Sequence, residues 1–255
     1  MKTNSTVLIT GAARRIGRAI AIHMGKAGWH VAVHYNSSGE AAGETVDQIR
    51  SNGGKAIALQ ADLEDLDATR ALLPACAKAL APPRCLINNA SLFEHDDIST
   101  LDEEGFHRHM RVNLRAPVFL AQTFAANLPD GENGIIINIL DQRVWKLTPE
   151  YFSYTLSKSA LWTATQTLAQ GLAPKVRVNA IGPGPTLPNS RQSKEAFEQQ
   201  QKTTILQHGA KPAEICDAVR FILDAPSMTG QMIALDGGQH LAWRTPDIFE
   251  SNEQS

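Results

Sequence analysis

Residues 7–18, VLITGAARRIGR, constrain the fold more than any other stretch. Val7, Leu8 and Ile9 form a short apolar run of the kind that makes a buried strand. The run stops at Thr10-Gly11. From residue 15 to 27 the apolar spacing becomes helical: Ile16, Ile20 and Met24 step by four, with Ala19 and Ala27 alongside. A strand that enters a helix through a glycine turn gathers backbone N–H groups at the positive end of the helix dipole, which suits phosphate. Gly11 lets the turn close, and Gly17 lets the helix approach the sheet or a ligand. Two glycines also fit an ordinary βα turn, so the reading depends on the rest of the chain.

Beyond this turn, strand and helix patterns alternate to the end of the sequence. The patterns predict strands at His30–Tyr35, Lys55–Gln60 and residues 85–88, 134–140, 176–181 and 231–235. Helices are predicted at 40–51, 63–80, 102–127, 149–172, 193–207 and 212–223, with Pro74 and Pro117 marking a break or bend. Strands this apolar are covered on both faces. The expected architecture is α/β, a doubly wound parallel sheet in a single domain over residues 1–243, with a polar, acidic tail at 244–255. Ligands of such sheets bind beyond the carboxyl ends of the strands. The candidate ligand-facing positions are therefore 11–17, 34–38, 62–63, 89–93, 141 and 182–186.

With 255 residues and a formal net charge of -2, the chain has no basic field to recruit nucleic acid. It has no apolar run long enough for a membrane span and no signal-peptide core, so a cytoplasmic location is expected. Cys76, Cys85 and Cys216 are odd in number and widely spaced, and read as buried reduced thiols. The eight histidines show no metal-ligand spacing; His107 and His109, two apart on a predicted helix, do not share a face. No metal is expected.

The second strand ends in His34, Tyr35, Asn36, Ser37 and Ser38, with no acid before Glu40. A carboxylate at this point would bind ribose hydroxyls and repel a 2′-phosphate; hydroxyls, an imidazole and nearby arginines would accept one. Arg14 and Arg15 lie in the glycine turn, where cations oppose the helix dipole unless an anion is bound. NADPH is therefore preferred to NADH, although a solvated helix start would also place arginines there. Asp62, after the third strand, has two readings: an acceptor for the adenine amino group, or a helix cap ahead of Leu63.

Of the three tyrosines, only Tyr154 has a lysine four residues on, Lys158. That spacing puts both on one helical face, where an ammonium would lower the phenol pKa and hold a nucleotide ribose. Tyr154 becomes a candidate general acid. By itself the pair could be an ordinary surface i,i+4 contact.

Together with Thr10-Gly11 and Gly17, Asn88-Asn89-Ala90, Asn113, Pro183-Gly184 and Asp236-Gly237-Gly238, this pair makes the chain resemble the short-chain dehydrogenase/reductase family over nearly its whole length. The resemblance implies a Rossmann fold. It implies that Asn89 and Ala90 line the cofactor site, that Asn113 holds a water of a proton relay, and that Pro183 and Gly184, with Thr186 after them, face the nicotinamide. Two departures stand out. Arg15 replaces the middle glycine of the turn, and Asp141 stands thirteen residues before the tyrosine, where a serine is usual. A serine hydroxyl donates to a carbonyl oxygen; an ionised aspartate only accepts and would repel an oxyanion. Asp141 suits a substrate with N–H donors, or one whose nitrogen must be protonated, and its charge would keep Tyr154 protonated. A structural aspartate in a catalytically weakened relative is the plain alternative.

TGAARRIGRAIA, VHYNSS, NNASLF and the set Asp141, Tyr154, Lys158 resemble the pteridine reductase branch. That implies NADPH-dependent reduction of a pterin or a folate. It also implies contacts of Arg15 with pyrophosphate and pterin, of Ser91 with pterin or phosphate, and of Asp141 with the pterin's amino edge. Phe93 would stack on the pterin, although core packing is as natural for it. Ile16 belongs to the cofactor turn and Leu187 to the substrate loop. Trp145 and Leu147 are further candidates for the pocket wall, and residues 190–201 for a lid. The resemblance also implies a homotetramer. Two other readings remain open: a carbonyl reductase acting on 3-oxoacyl thioesters, and a non-catalytic NADP-binding regulator.

Overall fold

A computed structural model describes residues 4–188 and 193–243. Seven strands form one parallel sheet in the order β3-β2-β1-β4-β5-β6-β7. The strands are β1 (Thr6–Ile9), β2 (His30–Tyr35), β3 (Lys55–Gln60), β4 (Pro83–Asn88), β5 (Gly134–Ile139), β6 (Val176–Pro183) and β7 (Met232–Leu235). The helices are α1 (Arg15–Lys26), α2 (Gly39–Ser51), α3 (Leu66–Ala79), α4 (Glu103–Met110), α5 (Ala116–Asn127), α6 (Phe152–Leu172), α7 (Lys194–Lys202) and α8 (Pro212–Asp224).

The period of two along each strand builds two cores. Val7, Ile9, Val31, Val33, Ile135 and Ile137 face α1, α2 and α8. Leu8, Ala32, Leu86, Ile136 and Val178 face α3, α5 and α6 on the other side. With both faces covered, the middle strands are mostly apolar on both sides, as buried parallel strands are. The three cysteines are buried, and burial pushes the Cys76 thiol up to about 12 and Cys216 to about 11. Among the described residues no helix is long and apolar enough to cross a membrane.

Element boundaries differ from the pattern where polar side chains intervene. Helix α3 starts at Leu66, because Asp65 accepts from the N–H groups of Asp67 and Ala68. Asp62 is not that cap; its carboxylate accepts from Glu64 N at 2.9 Å in a local turn. The helix runs through Pro74 rather than breaking there. The predicted helix 102–127 is α4 and α5 joined by a π-type turn at Arg111–Arg115. Pro117 follows that turn and has no N–H for the carbonyl of Asn113, four residues earlier. Helix α6 begins at Phe152 rather than Pro149, and α7 ends at Lys202 rather than Gln207. The tail at 244–255 lies outside the described residues, as do residues 190–192 of the proposed lid.

The sheet order changes direction at β1, between β2 and β4, and both flanking turns converge there. His34 ties them together. Its Nδ1 accepts from Gly11 N at 3.0 Å, so its Nε2 is the protonated nitrogen that donates to the Ala61 carbonyl at 3.2 Å. Burial holds the imidazole neutral and lowers its pKa to about 4. This corrects the expectation of a phosphate-accepting imidazole: both ring nitrogens are spent on backbone. His34 thus clamps the glycine turn to the loops after β2 and β3.

The clamp has a pH signature. A folded-state value near 4, against 6.5 in the open chain, means that its stabilising contribution is complete above pH 6.5 and is lost as pH falls towards 4. The difference amounts to about 3 kcal/mol. Denaturant titrations at pH 7 and pH 4.5 should show a loss of this order in the native chain and a distinctly smaller one in His34→Gln.

Candidate active site

The turn after β1 is shaped for a close-lying anion. Gly11 has φ +61°, and a Cβ on it would lie 2.9 Å from the Ala90 Cα. A Cβ on Gly17 would lie 2.4 Å from the Gly11 carbonyl oxygen and 2.5 Å from Asn89 Nδ2. Asn89 pins the turn from below, donating to the Thr10 carbonyl at 2.9 Å and the Gly11 carbonyl at 3.0 Å. Helix α1 has neither a side-chain cap nor an acidic residue in its first turn, so its N-terminal N–H groups remain open to a ligand. A nucleotide pyrophosphate fits this cradle.

The cradle opens into a cleft of about 730 Å³ across the carboxyl ends of the strands. Its lining brings together Gly11, Arg14, Arg15, Ile16 and Gly17 from the turn with His34 near the end of β2 and Asn36 just after it. Asp62 and Leu63 after β3, and Asn89, Ala90, Ser91 and Phe93 after β4, join them. Asp141, Tyr154 and Lys158 lie further along, followed by Pro183 at the end of β6 and Gly184, Thr186 and Leu187 beyond it. Four candidate positions lie outside this lining. Tyr35 and Ser37 do not line the cleft; the Tyr35 ring packs on the core beside Gly39. Trp145 and Leu147 also stand outside it, Trp145 edge-on to His240 at 5.1 Å and Leu147 exposed.

Arg15 has φ 56°, a left-handed conformation where the family's glycine would be free of strain. Its guanidinium spans the mouth of the cleft and donates to the Leu187 carbonyl at 3.1 Å and to the Pro188 carbonyl. The phosphate turn and the loop after β6 are thereby tied across the opening.

Three side chains define the chemical centre. The Tyr154 hydroxyl donates to Asp141 Oδ2 at 3.0 Å. Asp141 Oδ1 accepts from Arg143 N at 2.9 Å. Lys158 Nζ donates to the Ile139 carbonyl at 2.8 Å, which aims the buried ammonium along the strand end. Burial pushes the Asp141 carboxyl above its ordinary value, against the pull of the Arg143 charge. Burial, then the Asp141 charge, holds the Tyr154 phenol well above its ordinary range. Burial lowers Lys158 to about 8, although Asp141 opposes it. The expectation that Lys158 lowers the tyrosine is therefore corrected. The ammonium lies 5.7 Å from the phenol ring centre, and the nearer carboxylate dominates. Tyr154 remains a protonated donor.

Asn113 is also repositioned. It does not line the cleft, and its side chain is fully used. Oδ1 accepts from Leu92 N at 2.8 Å, while Nδ2 donates to the Leu92 carbonyl at 2.9 Å and to Ser157 Oγ at 3.0 Å. Its amide clamps the loop after β4 to α6. Its backbone carbonyl receives no N–H from Pro117, four residues on.

Tyr151 and Asp96 are among the residues that escaped the sequence reading. Tyr151 lies three before Tyr154 and stacks on Phe93, centroids 4.3 Å apart and planes at 4°. Asp96 caps α6 from a distance: both carboxylate oxygens lie 3.2 Å from Ser153 N, and its carbonyl accepts from Phe152 N at 3.2 Å. Nothing local supplies that cap, since Tyr151 at the helix start has φ 55° and no capping side chain. The spacing of Tyr151 from Tyr154 was a readable signal; the remote cap was not.

A glycine phosphate turn at the point where the strand order reverses, facing a buried tyrosine–lysine pair, defines a nicotinamide-dinucleotide oxidoreductase. The model of the family described as short chain dehydrogenase matches residues 5–199, and the chain belongs to that family. A crystal structure of FolM alternative dihydrofolate reductase 1 from Brucella canis, complexed with NADP, shares 50% identity over 96% of this chain and 98% of that one, with a TM-score of 0.94. The landomycin C-6 ketoreductase LanV, with bound NADP and rabelomycin, shares 33% over 94% of this chain and 98% of that one, TM-score 0.84. The 3-oxoacyl-[acyl-carrier-protein] reductase FabG of Staphylococcus aureus strain Mu50 is 28% identical over 94% of this chain and all of its own length.

Removing the remote cap should loosen the helix that carries Tyr154. Asp96→Ala is expected to cost about 1 kcal/mol and lower the melting temperature by about 2–4 °C. Asp96→Asn, which keeps an acceptor, should recover most of it in a calorimetric comparison.

Proposed function

We propose that the chain is an NADPH-dependent reductase of a pterin, a dihydropterin or dihydrofolate, acting on a ring C=N bond. The observation that carries this reading is the buried hydrogen bond from Tyr154 to Asp141. A carbonyl reductase needs a donor at residue 141; a carboxylate there accepts N–H groups and opposes an oxyanion. Two further facts support it: Arg14 and the absence of an acid after β2 favour a 2′-phosphate, and the FolM structure was solved with NADP.

When bound, the dinucleotide supplies a hydride to the substrate carbon. The protein's part is orientation and proton management. The open N-terminus of α1, with Arg15 beside it, holds pyrophosphate, and Arg14 meets the 2′-phosphate. Lys158, charged below about pH 8, holds the nicotinamide ribose. Phe93, already backed on one face by Tyr151, offers its remaining surface to a flat ring. Asp141 accepts from the amino edge. Tyr154 gives its proton to the ring nitrogen, so one hydride and one proton convert C=N to CH–NH. The phenol recovers a proton through Lys158 and water at the Asn113 carbonyl. The reading also carries a homotetramer and a cytoplasmic location.

NADPH oxidation followed at 340 nm tests it. A dihydropterin should be turned over, with NADPH strongly preferred to NADH. Tyr154→Phe should lose at least about 100-fold in kcat while still binding NADPH. Turnover of an acetoacetyl thioester but no dihydropterin would contradict the proposal in favour of carbonyl reduction.

A further inference from the structure

The most unusual charge in the cleft belongs to a residue that neither the sequence motifs nor the proton relay employs. Arg143 lies in the short 3₁₀ turn Gln142–Val144 that follows Asp141. Its guanidinium carbon is 4.8 Å from the Tyr151 ring centre, 5.3 Å from Phe93 and 5.9 Å from Tyr154. Nη1 is buried and has no hydrogen-bond partner among the described residues. An arginine nitrogen withdrawn from water and left without an acceptor is costly unless the rings around it compensate through their π faces. These three rings do so. Phe93 and Tyr151 lie parallel, and Tyr154 meets Phe93 edge-on at 4.7 Å and 80°.

We propose that Arg143 is a positioning residue that locks the Phe93–Tyr151 wall against Tyr154 and keeps the neighbouring Asp141 carboxylate an acceptor. The charged and titratable groups facing Asp141 are Arg143 from its own turn and Tyr154 and Lys158 from α6. Lys158 is committed to the Ile139 carbonyl, and Tyr154 already donates its one proton to the carboxylate. Arg143 N donates to Asp141 Oδ1 at 2.9 Å, its guanidinium carbon lies 5.9 Å from the ring of Tyr154, whose hydroxyl donates to Oδ2, and its charge opposes the effect of burial on the carboxyl. The same guanidinium therefore serves two surfaces of the substrate site, the flat wall and the acceptor edge. The inference rests on the reading of Asp141 and Tyr154 as the proton-handling pair.

The test uses the full chain loaded with NADP+. The Asp141 carboxyl is followed by ¹³C NMR across pH, its signal assigned by its absence in Asp141→Asn. Kinetic pH profiles with a dihydropterin are measured beside it. Arg143→Met should move the carboxyl titration and the acid limb of kcat/KM upward together by about one pH unit. It should also raise KM, because the wall is no longer braced. Arg143→Lys, which restores the charge without the planar stack, should return the titration but not the KM. If the methionine variant does not fold, Arg143→Gln, which removes only the charge and keeps planar donors, carries the titration arm. A folded variant without the cation whose Asp141 titrates as in the native protein overturns the inference. A titration that moves in a protein that never reduces dihydropterins would retain the role of Arg143 and remove the pterin reading instead.

Discussion

The hydrogen bond from the Tyr154 phenol to the Asp141 carboxylate links the two ends of the chain's logic. It exists because the turn after β5 and helix α6 bring Asp141 and Tyr154 to one buried point, and it decides which chemistry that point favours. A phenol beside a carboxylate in low dielectric keeps its proton. The usual serine at residue 141 would leave the tyrosine free to be pulled down by the nearby ammonium. Here the carboxylate outweighs it. The centre is thus a proton donor next to a pure acceptor, a pairing that matches ring nitrogen better than ketone oxygen.

Much of the rest of the fold serves to hold that point still. The remote cap from Asp96 fixes the start of α6, and the Asn113 amide ties the loop carrying Phe93 to Ser157 on the same helix. A buried chain from Asn88 through Asn138 to Thr165 joins β4, β5 and α6 behind it. Asn88, Asn113, Asn138, Ser157 and Thr165 are buried, where hydrogen bonds between side chains specify geometry more than they add stability. At the other end of the cleft, His34 performs the same service for the glycine turn.

The strands and most helices were legible in the sequence because burial writes periodicity directly. Val7, Leu8 and Ile9 alternate between two cores, and Ile20 and Met24 share one helical face. The cleft was legible from order alone, since ligand-facing residues come directly after strands. What the pattern did not disclose depends on contacts remote in sequence. His34 read as a phosphate ligand because nothing local shows that Gly11 and Ala61 consume its ring. That the Asn113 amide clamps a loop was not legible either, because its partners Leu92 and Ser157 lie 21 and 44 residues away. Arg143 passed unnoticed because its neighbours, three aromatic rings, come from two other segments. The extent of α3 was misjudged for the opposite reason: Asp62 and Asp65 are both good local caps, and only packing chooses between them.

The central claim is that residue 141 sets the preference for nitrogen over oxygen as the proton's destination. Its most direct test is the ratio of kcat/KM for a dihydropterin to that for an acetoacetyl thioester, measured with NADPH in the native chain and in Asp141→Ser. A ratio that falls by at least about 100-fold, with gained or retained activity on the thioester, is the predicted result. A ratio that stays the same in a folded variant that still binds NADPH would contradict the account.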